Sequence, residues 1–473
     1  MILVPNHQQL LNGSKLLVLL IVVLNLFSAC EFLRIQPARK PYDPTKDRTV
    51  RSVDDFNDDT KTTDIAEKED LTNEGELDTV AIKPSIDNPL DSLLEDTLAI
   101  FSIDTFFTNE DFFKQDIGYK KTDFTFAILL PFKGADFYNA SEQDTILKKS
   151  KIAVELYEGI IIGVEQLTGL GMNIDAYVFD TENSEATTEA IIGQLYNYSI
   201  DLIVGPVYNK NLRIIADYAK RNNIYQLSPL SPSKNITEKN PYFIQVNPTI
   251  DSHSSKMATY INNNFLDANI VTISRNTERE MNLASIYEAI NGATKIEVNA
   301  DIELGTYMDA NRSNVVIIPS FNELFVNETL RRLNILSQKY NITVFGMPDW
   351  IDNMETIDYN YLENLNYHFT DDFYVVEDNE YHTAFYNAYV ERFKTKPTKN
   401  AYKGFDMMIY FGRMLAEGVE LSAHFENPAE KGIYNDFFLQ PSYFKNNLDT
   451  FDFFENRFVH LLKIKDYKVQ KVE

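Results

Sequence analysis

Apolar residues in this chain come in two spacings that take turns. The run FTFAILLPF, Phe124 to Phe132, has the length and continuity of a buried strand and is ended by Pro131. Beyond it, Ile152, Leu156, Ile160, Val164 and Leu167 recur at helical steps, which predicts an amphipathic helix over 150–167. The alternation continues with a strand at 173–180 (NIDAYVFD) and a helix over 185–198 capped by Asn183 or Ser184. A strand at 200–206 (IDLIVGP), a helix over 209–223 and a strand at 224–229 (IYQLSP) follow.

After YFIQVNP (Tyr242 to Pro248) the plan restarts. Helical patterns are expected over 251–265, 281–292 and 323–340, and strands at 269–275, 314–320 and 342–348. A third section from about Asp372 holds two helices around a Lys-Pro-Thr turn and then a short β-like tail. Apolar strands alternating with helices predict an α/β protein whose parallel sheets are covered on both faces.

Composition changes the picture only before residue 121. From Pro41 to Lys120 there are 21 Asp/Glu against 8 Lys/Arg, and the resulting −13 is half of the chain's −26. The first part of this stretch lacks apolar periodicity, so it cannot bury enough surface to offset its ordering entropy and reads as a tether. Upstream, Lys15, the apolar run Leu16 to Phe27, and Ser28-Ala29-Cys30 have the layout of a secretory signal. They resemble a bacterial lipoprotein signal, which implies cleavage before Cys30 and a lipid on its sulfur. The apolar run is short of the ~20 residues that span a bilayer. The expected location is therefore the cell envelope, lipid-anchored and facing the periplasm.

The charge argues against nucleic acid, whose phosphates need clustered Lys and Arg. Catalytic patterns are missing from the sequence. The six histidines form no close metal pair, Cys30 is the only cysteine, and neither a Gly-x-Ser-x-Gly elbow nor a phosphate loop occurs. Asp371-Asp372 reads as a pair of solvated loop charges. No enzyme activity, cofactor or metal is expected.

Five features, in order, then suggest a family: Asp180, Gly205-Pro206, Ser228-Pro229, Asn235-Ile236-Thr237 and Pro241-Tyr242-Phe243. Later come FGMPDW and the segment FYNAYVERFKTKPTKNAYKGFDMMIYFGRML, with Phe405-Asp406 at the family's Tyr-Asp place. Together they resemble the type I periplasmic binding proteins of the leucine/isoleucine/valine group, closest to lipid-anchored versions in Bacteroidetes-like bacteria. The resemblance runs from about Thr122 to Glu473. It implies two lobes joined by three crossings, with ligand held between them. Lobe 1 would take 121–245 and 376–440, and lobe 2 would take 246–375 and 441–473, after a signal at 1–29 and a tether at 30–120.

Ligands of open parallel sheets sit beyond the carboxyl ends of the strands, near helix N-termini. The expected contacts in lobe 1 are Pro131, Phe132, Asp180, Val207, Tyr208, Asn209, Ser228, Leu230 and Ser231. Arg275, Ser320 and Trp350 are expected from lobe 2. Each has a plainer reading: Asp180 as a cap, Gly205-Pro206 as a sharp turn, Trp350 as core and Arg275 in a surface salt bridge. Tyr208 and Leu230 are bulkier than the small residues that hold an α-amino acid in the family, and Pro232 lacks an N–H.

Two functions therefore stay open. One is capture of a small polar ligand, amino-acid- or peptide-like, for an ABC permease or as a sensor. The other is an adaptor that uses the same fold to regulate a cell-wall enzyme through a cell-envelope protein.

Overall fold

The computed structural model describes residues 121–134, 143–288, 290, 292–297, 303–348, 350–375, 380–418, 432, 436–443 and 451–472. The expected lipid site at Cys30, the expected acidic tether and Asp349 lie outside them.

Two seven-stranded sheets form the protein. The first contains β1 (Asp123–Leu130), β2 (Asn173–Asp180), β3 (Leu202–Val204), β4 (Tyr225–Ser228), β5 (Phe243–Gln245), β11 (Leu439–Tyr443) and β12 (Phe451–Asn456), in the order β11-β12-β5-β4-β3-β1-β2. The second contains β6 (Asn269–Ser274), β7 (Ala293–Glu297), β8 (Asn314–Ile318), β9 (Ile342–Gly346), β10 (His368–Asp371), β13 (His460–Lys465) and β14 (Lys468–Lys471), in the order β14-β13-β10-β9-β8-β6-β7. Both are mostly parallel, with antiparallel pairs only towards the late strands: β11 on β12, and β10 on β13 on β14.

The helices are α1 (Gln143–Gly169), α2 (Glu185–Leu195), α3 (Asn209–Asn222), α4 (Ile250–Asn264), α5 (Glu278–Tyr287), α6 (Glu323–Leu336), α7 (Trp350–Asn353), α8 (Tyr359–Asn364), α9 (Glu380–Phe393) and α10 (Lys399–Glu417). Strand alternation assigns them to faces. In the first sheet Phe126, Ile128, Val204, Leu227 and Ile244 join the core of α1, α9 and α10. Ala127, Leu129 and Ile203 point the other way, onto α2 and α3. A continuous apolar strand is what two covered faces require.

Helices α1 and α10 touch backbone to backbone. A Cβ on Gly159 would lie 1.8 Å from the Ala401 carbonyl oxygen, and one on Gly404 would lie 2.3 Å from that of Leu156. Residues more than 240 positions apart in sequence thus form one rigid helix pair in the first lobe.

Three passages join the sheets. The first follows β5 into α4, the second leaves β10, and the third is Arg457–Val459 between β12 and β13. The sequence places this last passage near residue 440. The structure moves it, because β12 pairs with β5 in parallel (Phe454 with Ile244) and so belongs to the first sheet. Strand direction then has a consequence. Passages one and two leave from the carboxyl ends of their strands, and β13 enters opposite the carboxyl end of β10, with Asp371 facing His460 in the ladder. The loops beyond the carboxyl ends of both sheets therefore gather on the side where the lobes connect.

The predicted elements are present with shifted ends. Helix α1 starts at Gln143, not near residue 150, and β7, β10 and the short α7 and α8 have no counterpart in the sequence reading. Ser184, not Asn183, caps α2, accepting the Thr187 N–H.

Candidate functional site

Each expected contact residue sits at a strand end, but most are engaged within the chain. Pro131 and Phe132 are buried, and Phe132 packs edge-on against Tyr157 at 5.7 Å. The Asp180 carboxylate accepts the backbone N–H groups of Lys133 (3.2 Å), Gly134 (2.8 Å) and Glu182 (2.8 Å). It ties the loop after β1 to the end of β2 and is not the cap of α2, which is Ser184.

The turn after β3 needs its glycine. Gly205 has φ +92°, and a Cβ there would lie 2.2 Å from the Leu129 carbonyl oxygen. Pro206 follows through a cis peptide. Val207 is buried, Tyr208 packs partly on the core of the first lobe, and Asn209 opens α3. Leu230 is also partly packed on that core. The Ser231 hydroxyl donates to Asn209 Oδ1 at 2.6 Å, so two of the polar groups expected to contact a ligand hold each other. Ser228 is fully buried, and its Oγ has no hydrogen-bond partner among the described residues.

In the second lobe one residue that the sequence did not single out brings together two that it did, Arg275 and Ser320. Glu280, 2% exposed, lies in the first turn of α5. Its carboxylate accepts the Arg275 N–H (2.7 Å), Arg275 Nε (2.9 Å), Arg275 Nη2 (2.7 Å) and the Ser320 hydroxyl (2.6 Å). Trp350 Nε1 donates to the Ser320 carbonyl oxygen at 2.9 Å while its ring stacks on Tyr367. Arg275 thus neutralises an internal carboxylate, and Trp350 is core. The signal for Glu280 was Thr277-x-x-Glu280, a capping-box spacing. Thr277 does cap α5, but the glutamate reaches to Arg275 instead of back to the cap.

Among the α-helices whose starts are described, two kinds occur. Ser184, Thr249, Thr277, Asn322, Asp358 and Thr398 each cap their helix through a side-chain oxygen. Helix α3 begins at Tyr208 with no side-chain cap. Its first N–H groups, at the carboxyl end of β3, carry the positive end of the helix dipole and have no intrahelical acceptor.

Asp371 and Asp372 differ from the sequence reading. They are not solvated loop charges. Lys399 Nζ lies 2.8 Å from Asp371 and 2.9 Å from Asp372, Lys403 pairs with Asp372, and Lys403 Nζ also donates to Asn247 Oδ1 at 2.7 Å. Burial pushes the Asp371 carboxyl up to about 7 against the pull of Lys399. Burial acts upward on Asp372 too, but Lys399 and Lys403 together hold it well below the ordinary carboxylate range. Asp406, in α10, is buried.

The model for the receptor family ligand binding region matches residues 167–320. No curated protein sequence matches the chain. Among solved structures, a protein described as a branched-chain amino acid ABC transporter from Rhodospirillum rubrum superposes with TM-score 0.53 at 12% identity, covering 74% of this chain and 100% of its own. The fold is that of the type I periplasmic binding proteins.

Two further solved structures are similar to the chain. One is an ABC transporter substrate-binding protein from Desulfitobacterium hafniense in complex with Leu (14% identity, TM-score 0.46, 74% of this chain and 100% of that one). The other is the LpoA C-domain from Haemophilus influenzae, a regulator of PBP1A (14% identity, TM-score 0.49, 74% and 100%). Among the described residues no helix is long and apolar enough to cross a membrane, and no group of His, Cys, Asp and Glu could hold a metal ion.

Proposed function

We propose that this chain is a binding protein of the cell envelope, held by a lipid on Cys30 and an acidic tether, that captures a small ligand bearing a carboxylate or carbonyl between its lobes. The observation that carries the reading is the uncapped start of α3. A helix that opens without a side-chain oxygen, at a strand end where ligands of such sheets sit, leaves backbone donors for a ligand's acceptor group. The ligand then serves an ABC permease or a sensor.

The chain's own pairing narrows the ligand. With Arg275 and Ser320 on Glu280, the second lobe offers no cation from these residues to a second acidic group. A ligand with one acceptor end, held by the first lobe, fits better than a dicarboxylate.

The adaptor reading also has an observation behind it. Asp180, Asn209, Ser231, Arg275 and Ser320 are all engaged internally, as in a rigid body that works through its surface. A thermal-shift screen of amino acids, short peptides and cell-wall fragments on the whole protein separates the two. A ligand at ~100 times its dissociation constant adds about 2.7 kcal/mol. Tyr208→Asp supplies the missing cap with a negative charge, so it should abolish that shift without unfolding the protein. If no small molecule shifts the protein, and a cell-envelope protein is captured equally by the native chain and by Tyr208→Asp, capture at α3 is excluded.

A further inference from the structure

The lysine pair on α10 has a geometry that the ligand-binding reading does not use. Helix α10 belongs to the first lobe, fixed there by the glycine contacts with α1. Lys399 and Lys403 stand one turn apart at its start. Their partners come from outside the lobe's core: Asp371 and Asp372 end β10 of the second sheet, and Asn247 follows β5 in the first passage. Lys403 alone touches both passages, and its side chain is 11% exposed against 9% for Asp372.

We propose that Lys399 and Lys403 are positioning residues that clamp the first two passages to α10 and so set the rest angle between the lobes. Asp372, held ionised between Lys399 and Lys403, is the fixed anion of the cluster, and Asp371 adds a second carboxyl on Lys399. Charges removed from water keep their partners, because separating them leaves an uncompensated buried charge. The passages therefore cannot bend one at a time at Asn247 or Asp372. They turn together with the cluster, and a ligand that closes the lobes does so against this setting.

His253, on α4, closes the far side. Its Nδ1 lies 3.0 Å from Thr370 Oγ1, and burial pushes its pKa down to about 4, so it adds no third cation near neutral pH. A second ion pair between the lobes provides an internal contrast: Lys234 Nζ and Asp251 lie 2.6 Å apart, but their side chains are 44% and 50% exposed. Exposed pairs are screened and contribute little.

The test measures the distance between spin labels on Ala186→Cys and Leu324→Cys, exposed positions at the helix starts of the two lobes, in full-length protein with Cys30→Ala. No ligand is added, so the outcome is independent of what the cleft binds. Lys403→Met should shift and broaden the distance distribution, Lys403→Arg should restore most of it, and Lys234→Met should leave it unchanged. Asp372→Asn serves as the second variant if Lys403→Met fails to fold. A distribution unchanged in Lys403→Met or Asp372→Asn, or altered equally by Lys234→Met, overturns the clamp.

Discussion

The Ser231 hydroxyl donates to Asn209 Oδ1 at 2.6 Å, joining the loop after β4 to the first residue of α3. Ser231 Oγ in turn accepts the Ser233 N–H at 3.2 Å, and the serine is 5% exposed. The pair is part of the frame. Asn209→Ala and Ser231→Ala should each cost about 1 kcal/mol in urea unfolding, with a coupling of roughly 0.5–1 kcal/mol in the double-mutant cycle. Strict additivity would mean that the bond contributes nothing.

Glu280 should be among the most sensitive positions of the second lobe. Glu280→Ala leaves the Arg275 guanidinium and the Ser320 hydroxyl without their acceptor, and a loss of about 3 kcal/mol or more is expected. Glu280→Gln keeps the shape and should cost less. Denaturant midpoints of the three proteins test the order native, Gln, Ala.

Two helical glycines should respond with opposite signs. A Cβ at Gly193 meets nothing within 4 Å, so Gly193→Ala should stabilise by about 0.5–1 kcal/mol through helix propensity. At Gly159 the same change drives a methyl into the Ala401 carbonyl and should cost about 3 kcal/mol, since neither backbone can yield. Melting temperatures of the two variants moving in the same direction would refute the close contact of α1 and α10.

Glu158 offers a pH test. Burial pushes it up to about 7, against the hydrogen bond donated by Tyr389. Between its ordinary value of 4.5 and about 7 the folded protein holds a proton that the unfolded chain has released. This group's contribution therefore falls as pH rises through that window. Buried His253 and His368, both pushed down to about 4, act in the opposite direction up to their ordinary 6.5. Glu158→Gln removes one falling contribution. Its stability relative to the native protein should grow by about 1.4 kcal/mol per pH unit from 4.5 to 7 and then level off. A constant difference across that range would show that Glu158 is ionised throughout.

Much of the fold was legible because apolar runs and helical spacing are local signals. The strand at Phe124 and the helix after Pro206 could be read directly. β10 could not, because HFTD is four residues long and mixes polar with aromatic positions. The third passage was misplaced for a related reason: whether β12 joins one sheet or the other depends on Phe454 meeting Ile244, a pairing over two hundred residues that no window contains. At the site, position was readable and engagement was not. Proline and glycine mark where strands stop, but nothing near Arg275 says that Glu280 will claim it except the Thr277 spacing. Lys399 at the start of α10 carried its own warning, since a cation at a helix N-terminus opposes the dipole unless an anion stands by. That anion is Asp371-Asp372, nearly thirty residues earlier.

The glycine seam between α1 and α10 also bears on how the chain comes into being. Its two halves are separated by all five parallel strands of the second sheet. As the polypeptide emerges from its N-terminus, α1 appears early with Leu156 and Ile160 on the face that α10 will cover, and waits for residues 399–417. The second lobe's parallel strands are complete before the first lobe can close. A nascent chain of this design lays down the five parallel strands of its inserted half before α10 is made, and α1 stays exposed to wrong partners in the meantime.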